Sequence, residues 1–220
     1  MSLVNISFTP TQKLNIAAVN LILVEKILNF NWISKNKNRL SIYRNLKERI
    51  YLRGLLTYTS FGSYCLLLMS LYEILTRKQL SPVIINCCWS ILFSVTSGYY
   101  IYVIPGILKS PDPKNWFLNI LSHGPYLIIT TCNLYLRFPS SIPLNYYSEL
   151  RYCLLYSYGW LSCVWFPWYT ITGDYMYPPL SSNLSLKKRF LNILKMSLLL
   201  SVGVSGKYII FNKLIKEKIK

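Results

Sequence analysis

The residues best suited to chemistry in this chain are a hydroxyl and an imidazole. His123 is the only histidine among the 220 residues, and imidazole is the side chain best poised to exchange a proton at neutral pH. Thr57 follows Arg53 by four residues, and a threonine hydroxyl becomes a nucleophile when a nearby base accepts its proton. Such a pair would attack a lipid ester, and Thr59 and Ser60 offer competing hydroxyls.

A purely structural role would account for the same two residues. A threonine in a helix often bonds to the carbonyl groups of the preceding turn, and a single histidine within a membrane can bridge two helices. An ionisable side chain inside a membrane is nevertheless a functional candidate by default. We therefore take Thr57 and His123 as the candidate catalytic residues.

Metal chemistry finds little support in the sequence. One histidine excludes every site built from several histidines, including the H-E-x-x-H proteases. The cysteines show neither a CxxC pair nor zinc spacing, and their apolar surroundings are typical of small buried hydrophobic residues. They are Cys65, Cys87, Cys88, Cys132, Cys153 and Cys163. We expect no metal and no organic cofactor.

The elements that must position these residues are predicted to be membrane helices. Hydrophobic residues make up 53% of the chain and charged residues only 14%, and a bilayer core requires roughly 20 mainly apolar residues per helix. The sequence predicts an all-α membrane protein, a polytopic bundle of about six transmembrane helices with five possible, in one integral membrane domain over residues 1–220. The predicted helices cover about 14–33, 55–75, 83–107, 117–137, 150–171 and 190–212.

The first and last predicted helices carry charged residues that need an explanation. Glu25 and Lys26 are costly in the middle of a bilayer, so the first helix is expected to be tilted, partly interfacial, or packed with those groups facing protein. In the last helix, Lys195 and Lys207 occupy positions from which a long side chain can snorkel to the membrane surface.

The strong positive charge of the chain points to lipid head groups. The formal net charge is +17, but the basic residues lie at predicted helix ends and in loops, and no nucleic-acid recognition motif accompanies them. The densest run, residues 35–53, is interpreted as a solvated, lipid-facing loop. We expect membrane lipids as partners and no nucleic acid.

Connectivity alone brings the candidate residues to one side of the membrane. If all six helices span, the loops after the first, third and fifth helices share one face. Thr57, His123 and the end of the fifth helix would then lie at one depth, whichever face it is. Asp112 and Asp174 fall on the same face, where either could orient His123, although loop aspartates are more often turn formers.

Three short patterns in this region resemble a known family. They are Leu56-Thr57 followed by an aromatic residue, the pair His123-Gly124, and a Trp-rich helix ending in Thr172-Gly173-x-Tyr175-x-Tyr177-Pro178-x-Leu180. Together, over roughly residues 50–180, they look like the androgen-induced-gene family of membrane hydrolases, which includes the androgen-dependent tissue-factor-regulating protein. The resemblance implies a multi-pass threonine hydrolase that cleaves fatty acid esters of hydroxy fatty acids.

By position, the resemblance implies that Thr57 is the nucleophile and His123 the base. It also implies a lipid ester substrate, and it makes the endoplasmic reticulum membrane the expected location. Two other interpretations concern the end of the fifth helix: Gly173 and Pro178 are predicted to end it, whereas Trp165, Trp168, Tyr175 and Tyr177 are typical of an aromatic belt at a lipid–water boundary. The alternative function is non-catalytic, either an assembly factor or a carrier of lipids or small solutes.

Overall fold

The computed structural model of the chain describes residues 8–36, 50–102, 120–137, 145–173, 176–177, 180 and 184–219. Within these ranges the fold is helical and contains no β-strand. The helices are α1 (Pro10–Asn36), α2 (Ile50–Leu56), α3 (Tyr58–Thr76), α4 (Pro82–Tyr102), α5 (Pro125–Leu136), α6 (Tyr146–Trp160), α7 (Phe166–Thr172) and α8 (Leu186–Ile219). Residues 120–123 are also helical, and a π-helical segment, Leu161–Trp165, joins α6 to α7.

Several helices begin or end at residues suited to that position. The Asn145 side chain accepts a hydrogen bond from the backbone N–H of Ser148 at the start of α6, as N-cap residues do. Gly173 ends α7 with a φ of 71°, a left-handed conformation that glycine adopts without steric cost. The prediction that Gly173 ends this helix is therefore confirmed, whereas Pro178 lies outside the described residues.

Helix α4 is the centre of the bundle. It packs against α3, α5, α6 and α8, while α1 packs against α3 and α5 on one side. Within its most apolar window 67% of the residues are buried, compared with 17% for α1 and 22% for α8. Small residues allow the close approach that membrane helices use, because a Cβ on Gly203 of α8 would lie only 2.6 Å from the Phe93 ring of α4.

Large apolar side chains are exposed on the exterior, and fully buried polar side chains lie beside the apolar core residues. Polar residues with 0% exposure include Asn15, Ser63, Ser70, Asn86, Thr130 and Asn133. Large apolar residues that are 64% to 78% exposed include Leu68, Leu75, Ile128, Leu155, Leu198 and Ile209. An apolar exterior together with buried polar side chains in the interior is the arrangement that a lipid environment favours.

Three described helices are long and apolar enough to cross a membrane. They cover Pro10–Lys35, Pro82–Ile101 and Leu186–Ile210, so the chain has the character of an integral membrane protein. The all-α prediction is confirmed for the described residues. The other three predicted helices coincide with helical regions that are interrupted at Thr57, at Gly124 and at Leu161–Trp165. The last part of the predicted helix 83–107 and the first part of the predicted helix 117–137, residues 103–107 and 117–119, lie outside the described ranges.

Charged side chains in α1 and α8 face the protein. Glu25 is 1% exposed, so of the three alternatives for α1 the structure supports the one in which this group faces protein. The prediction that Lys207 snorkels is wrong: this side chain is 3% exposed and its Nζ bonds to the Glu149 carboxylate. Lys195, by contrast, is exposed. Lys207 turns inward because α6 supplies a buried carboxylate partner for it.

Two buried ion pairs lie at one end of the bundle. Arg137, at the end of α5, makes a two-point contact with Glu73 of α3, and Asn15 of α1 donates to the same carboxylate at 2.8 Å. Lys207 of α8 pairs with Glu149 of α6 and also donates to the Ser90 hydroxyl of α4 at 3.2 Å. Charges buried in this way need such partners, because an unpaired buried charge is strongly destabilising.

Candidate functional site

A cavity of about 130 Å³ lies at the other end of the bundle. Helices α3, α4, α6 and α8 enclose it, together with His123 from the helical stretch before α5 and Tyr177 from beyond α7. Thr59 of α3 is separated from Glu73 by 14 residues of one helix, which corresponds to about 21 Å. The cavity is therefore well separated from the buried ion pair that Glu73 makes.

Two helix breaks bring the polar residues of the cavity into place. Thr57 has extended backbone between α2 and α3, so Thr59 lies in the first turn of α3. His123 is the last residue before Gly124, which separates the 120–123 stretch from α5. Pro125 follows at the start of α5, where its missing N–H costs no helical hydrogen bond. Both candidate residues thus stand where a helix is interrupted.

The histidine is held by groups from two neighbouring helices. Its Nε2 lies 3.2 Å from the Thr59 Oγ1, and its ring stacks on the buried ring of Tyr99, with centroids 3.8 Å apart and planes at 13°. The Thr96 hydroxyl donates to the His123 carbonyl oxygen at 2.5 Å. A threonine hydroxyl and an imidazole nitrogen at this separation are within range for proton transfer.

Thr57 occupies a different environment from Thr59. Its Oγ1 accepts a hydrogen bond from the Ser60 N–H at 3.2 Å, which caps α3, and it lies 3.1 Å from the Ser60 Oγ. The Gly54 carbonyl oxygen is 3.3 Å away. Among the described residues, those that line the cavity include Thr59 but not Thr57. The structure therefore brings His123 together with Thr59, and the assignment of Thr57 stays a prediction from the resemblance.

Sequence reasoning missed three contributors to the site. Tyr99 and Thr96 carry no motif, and only their direction around α4 places them against His123. Tyr177 was interpreted as part of an aromatic belt, yet its hydroxyl accepts a long hydrogen bond, 3.4 Å, from the Thr59 backbone N–H. The one signal that could have identified Tyr177 is its place before Pro178 in the pattern that carries the family resemblance.

The other aromatic residues near α7 divide into two groups. Trp168 is 5% exposed and packs with Trp160 and Met176, so the aromatic-belt interpretation does not describe it. Trp165 stacks on Tyr169 with ring centroids 5.8 Å apart. The π-helical segment ahead of α7 changes which side chains face inward. The remaining candidates from the sequence, Asp112, Asp174 and Tyr175, lie outside the described residues.

Away from His123 the lining of the cavity is mainly apolar. Leu200 of α8 packs against Ile91 of α4 and the buried Cys153 of α6, and the Tyr58 hydroxyl bonds to the Ser157 hydroxyl at 2.6 Å. Residues 192 to 200 of α8 line the cavity along one helix face, a rise of about 12 Å. The geometry is that of an apolar slot with a hydroxyl and an imidazole at one end.

No group of three or more His, Cys, Asp or Glu side chains in the described part of the chain is arranged to hold a metal ion. No family model, curated protein or solved structure matches the chain in comparisons with known proteins. What the site can do must therefore be argued from its own geometry.

Proposed function

We propose that this protein is a membrane-embedded hydrolase of fatty-acyl esters that uses a threonine nucleophile and His123 as the base. The single observation that carries the proposal is the 3.2 Å contact between the Thr59 Oγ1 and the His123 Nε2 at the end of the apolar cavity. A hydroxyl, a base and an adjoining apolar slot are the minimum that cleavage of a lipid ester requires.

The reaction follows from the order of these groups. The unprotonated His123 Nε2 accepts the Thr59 proton while Oγ1 attacks the acyl carbonyl carbon, which gives a tetrahedral oxyanion. Collapse expels the alkoxide, which takes the proton back from His123 and leaves an acyl-threonine. A water molecule then attacks the acyl-threonine carbonyl while His123 accepts its proton, and collapse of this second tetrahedral intermediate breaks the bond to the Thr59 oxygen. That oxygen takes the proton from His123, which releases the fatty acid and restores both residues. We assign the Thr59 N–H, which donates to the Tyr177 hydroxyl at 3.4 Å in the absence of substrate, and the Tyr177 O–H as donors to the oxyanion.

The cavity indicates the class of substrate. An acyl chain placed along α8 would have its carbonyl at Thr59 and its apolar end towards Leu200. The longer remainder of a lipid would leave the cavity on the side of Tyr177. By the resemblance, the substrate class is fatty acid esters of hydroxy fatty acids, and the location is the endoplasmic reticulum membrane.

The same proposal includes a six-span arrangement. Helices α1, α4 and α8 are long enough to cross a membrane, and the three interrupted helical regions lie between them in the chain. Interrupted helices within a membrane are tolerated where their free backbone groups line a cavity. The interruptions at Thr57 and Gly124 fall next to residues that line this cavity, which supports counting all six regions as spans.

Active-site labelling tests the proposal in intact membranes. A fluorophosphonate probe is expected to label the wild-type protein, and Thr59→Val, which keeps the side-chain shape but removes the hydroxyl, is expected to abolish the label. His123→Ala should reduce it by at least about a hundredfold, the usual contribution of a general base. Hydrolysis of a panel of lipid esters by purified protein should follow the same order.

Thr57→Asn is the matched variant that separates the two threonines. Asparagine is a good N-cap residue but has no hydroxyl, so labelling should persist if Thr57 only caps α3. Loss of labelling in Thr57→Asn with retention in Thr59→Val would instead make Thr57 the nucleophile. Equal labelling of wild type, both threonine variants and His123→Ala would reject the hydrolase. A carrier of intact lipid, detected by native mass spectrometry, would then be the better description.

A further inference from the structure

Two adjacent charged residues of α1 lie directly behind the contact between Thr59 and His123. Glu25 is 1% exposed, and its Oε2 is 3.0 Å from the Lys26 Nζ. An apolar contact would pack α1 against its neighbours without the cost of removing two charges from water. The presence of both charges at this position therefore calls for a role beyond helix packing.

Lys26 contacts the residue next to Thr59 in the sequence, and Glu25 contacts the residue next to His123. Lys26 Nζ donates to the Ser60 Oγ at 3.1 Å, and Ser60 directly follows Thr59. The Ser122 Oγ donates to the Glu25 Oε1 at 2.8 Å, and Ser122 directly precedes His123. The ion pair thus forms a bridge from one side of the Thr59–His123 contact to the other.

The bridge extends to the first turn of α5. The Tyr126 hydroxyl donates to the Glu25 Oε2 at 3.2 Å, so the carboxylate holds groups on both sides of the break at Gly124. Asn29, one turn further along α1, donates to Glu25 and lies 3.4 Å from the Ser122 Oγ. Backbone at a helix break lacks the hydrogen-bond ladder that fixes a continuous helix. Contacts from α1 supply that restraint here.

We propose that Glu25 and Lys26 are positioning residues that hold Thr59 and His123 at hydrogen-bonding distance. The catalytic consequence rests on the proposed function, whereas the positioning itself does not. A displacement of about 1 Å between reacting groups can lower a rate by roughly a hundredfold, so two residues at separate helix breaks need such a brace. Lys26 does not form a Ser–Lys nucleophile with Ser60, because its ammonium is paired with Glu25 and the Ser60 hydroxyl donates to the Gly54 carbonyl oxygen at 2.7 Å.

The experiment compares two ion pairs in the full-length protein. Lys26→Met and Glu25→Gln each break the bridge, while Lys207→Met and Glu149→Gln break a buried ion pair at the far end of the bundle. For folded, purified protein we expect the first two variants to lower kcat by about 10- to 100-fold with KM within about twofold of wild type. The control variants should leave both kinetic constants of the folded fraction unchanged.

A second readout does not require activity. His123 is the only histidine, so histidine-selective ¹³C and ¹⁵N labelling gives one set of imidazole signals. These signals should shift in Lys26→Met and Glu25→Gln and stay at their wild-type positions in both controls. Wild-type signals in the two α1 variants, or equal shifts in the controls, would overturn the positioning role. If the wild-type protein hydrolysed no ester, the proposed function would be rejected, but the imidazole signals would still test the positioning role.

Milder variants keep the test usable if a buried charge left unpaired prevents folding. Ser60→Ala and Ser122→Ala each remove one contact of the bridge while the Glu25–Lys26 pair stays intact. Both are expected to shift the His123 signals and to lower kcat by a few-fold, in keeping with the loss of one charge-assisted hydrogen bond. Unchanged signals in both serine variants would also contradict the inference.

Discussion

Tyr99 is the side chain that we expect to hold the plane of the His123 ring. The two rings are stacked at 3.8 Å and Tyr99 is 4% exposed, and a stacked aromatic pair contributes about 0.5–1.5 kcal/mol. Tyr99→Leu should therefore lower kcat by roughly three- to tenfold, because the imidazole is less often aligned with Thr59. Tyr152→Leu is the control, since Tyr152 of α6 is 55% exposed. Equal kcat values for the two variants would contradict this role.

The choice between neighbouring hydroxyls shows how far single residues can be interpreted from sequence. Composition and spacing identified His123 and a threonine near the start of a helix, but Thr57 and Thr59 are only two residues apart. The interruption at Thr57 gives the two residues different surroundings, because the Thr57 oxygen caps α3 whereas Thr59, in the first turn of the helix, faces the cavity. That interruption depends on packing between helices, which no local pattern encodes.

Helices α4 and α8 together determine the width of the cavity. A substitution at Gly98 tests whether this width controls which substrates bind. A Cβ on Gly98 would lie 2.8 Å from the Met196 Cε, and both residues line the cavity. Gly98→Val should push the flexible Met196 side chain into the slot. We expect hydrolysis of long-chain esters to fall by at least about tenfold relative to short-chain esters, measured as the ratio of kcat/KM values.

Gly206→Val is the matched control for that measurement. Gly206 belongs to α8, and a Cβ there would meet no atom within 4 Å, so the same substitution adds bulk without entering the cavity. Its ratio of long-chain to short-chain kcat/KM should equal that of the wild type. A Gly98→Val protein with the wild-type ratio would show that the acyl chain does not bind along this part of α8.

Helical regions were more predictable than their interruptions. Composition is enough to identify apolar stretches that are as long as a bilayer is thick. Each of the six predicted regions contains helix in the described residues. The breaks at Gly124 and at Leu161–Trp165 were not predicted, although the dipeptide Gly124-Pro125 is typical of a turn, whereas a π-helical segment has no sequence signature as clear as proline. The candidate site lies beside two of the interruptions, at Thr57 and at Gly124, so the part that sequence reasoning missed is the part that shapes it.

The whole molecule places its polar groups in two separate interior regions. At one end, the Glu73–Arg137 pair joins α1, α3 and α5, and the Glu149–Lys207 pair joins α4, α6 and α8. At the other end, the Glu25–Lys26 pair lies behind the cavity. Composition predicted a membrane protein, but the partners of these charges come from distant parts of the chain and could not be predicted. We infer that the first region stabilises the bundle and that the second serves the site.

The six-span arrangement makes a prediction about the two faces of the membrane. The sequence carries glycosylation acceptor patterns at Asn5-Ile6-Ser7 and Asn183-Leu184-Ser185. In the six-span arrangement the second pattern lies on the same face as the loop before α2 and the loop before the 120–123 stretch, because an even number of spans separates it from each of them. Five spans lie between the two patterns, so they must lie on opposite faces. Thr59 and His123 then share the face of the second pattern.

Glycan mapping in a secretory-pathway membrane tests this arrangement. Acceptor sites placed on extended insertions next to Asn5 and next to Asn183 should give one modified site and one unmodified site within the same protein, because glycan transfer occurs on one face only. Each insertion alone should give the same result as in the double-insertion protein, which shows that the two sites do not interfere with each other. Modification of both sites in one protein would require an even number of crossings between them and would contradict the six-span arrangement.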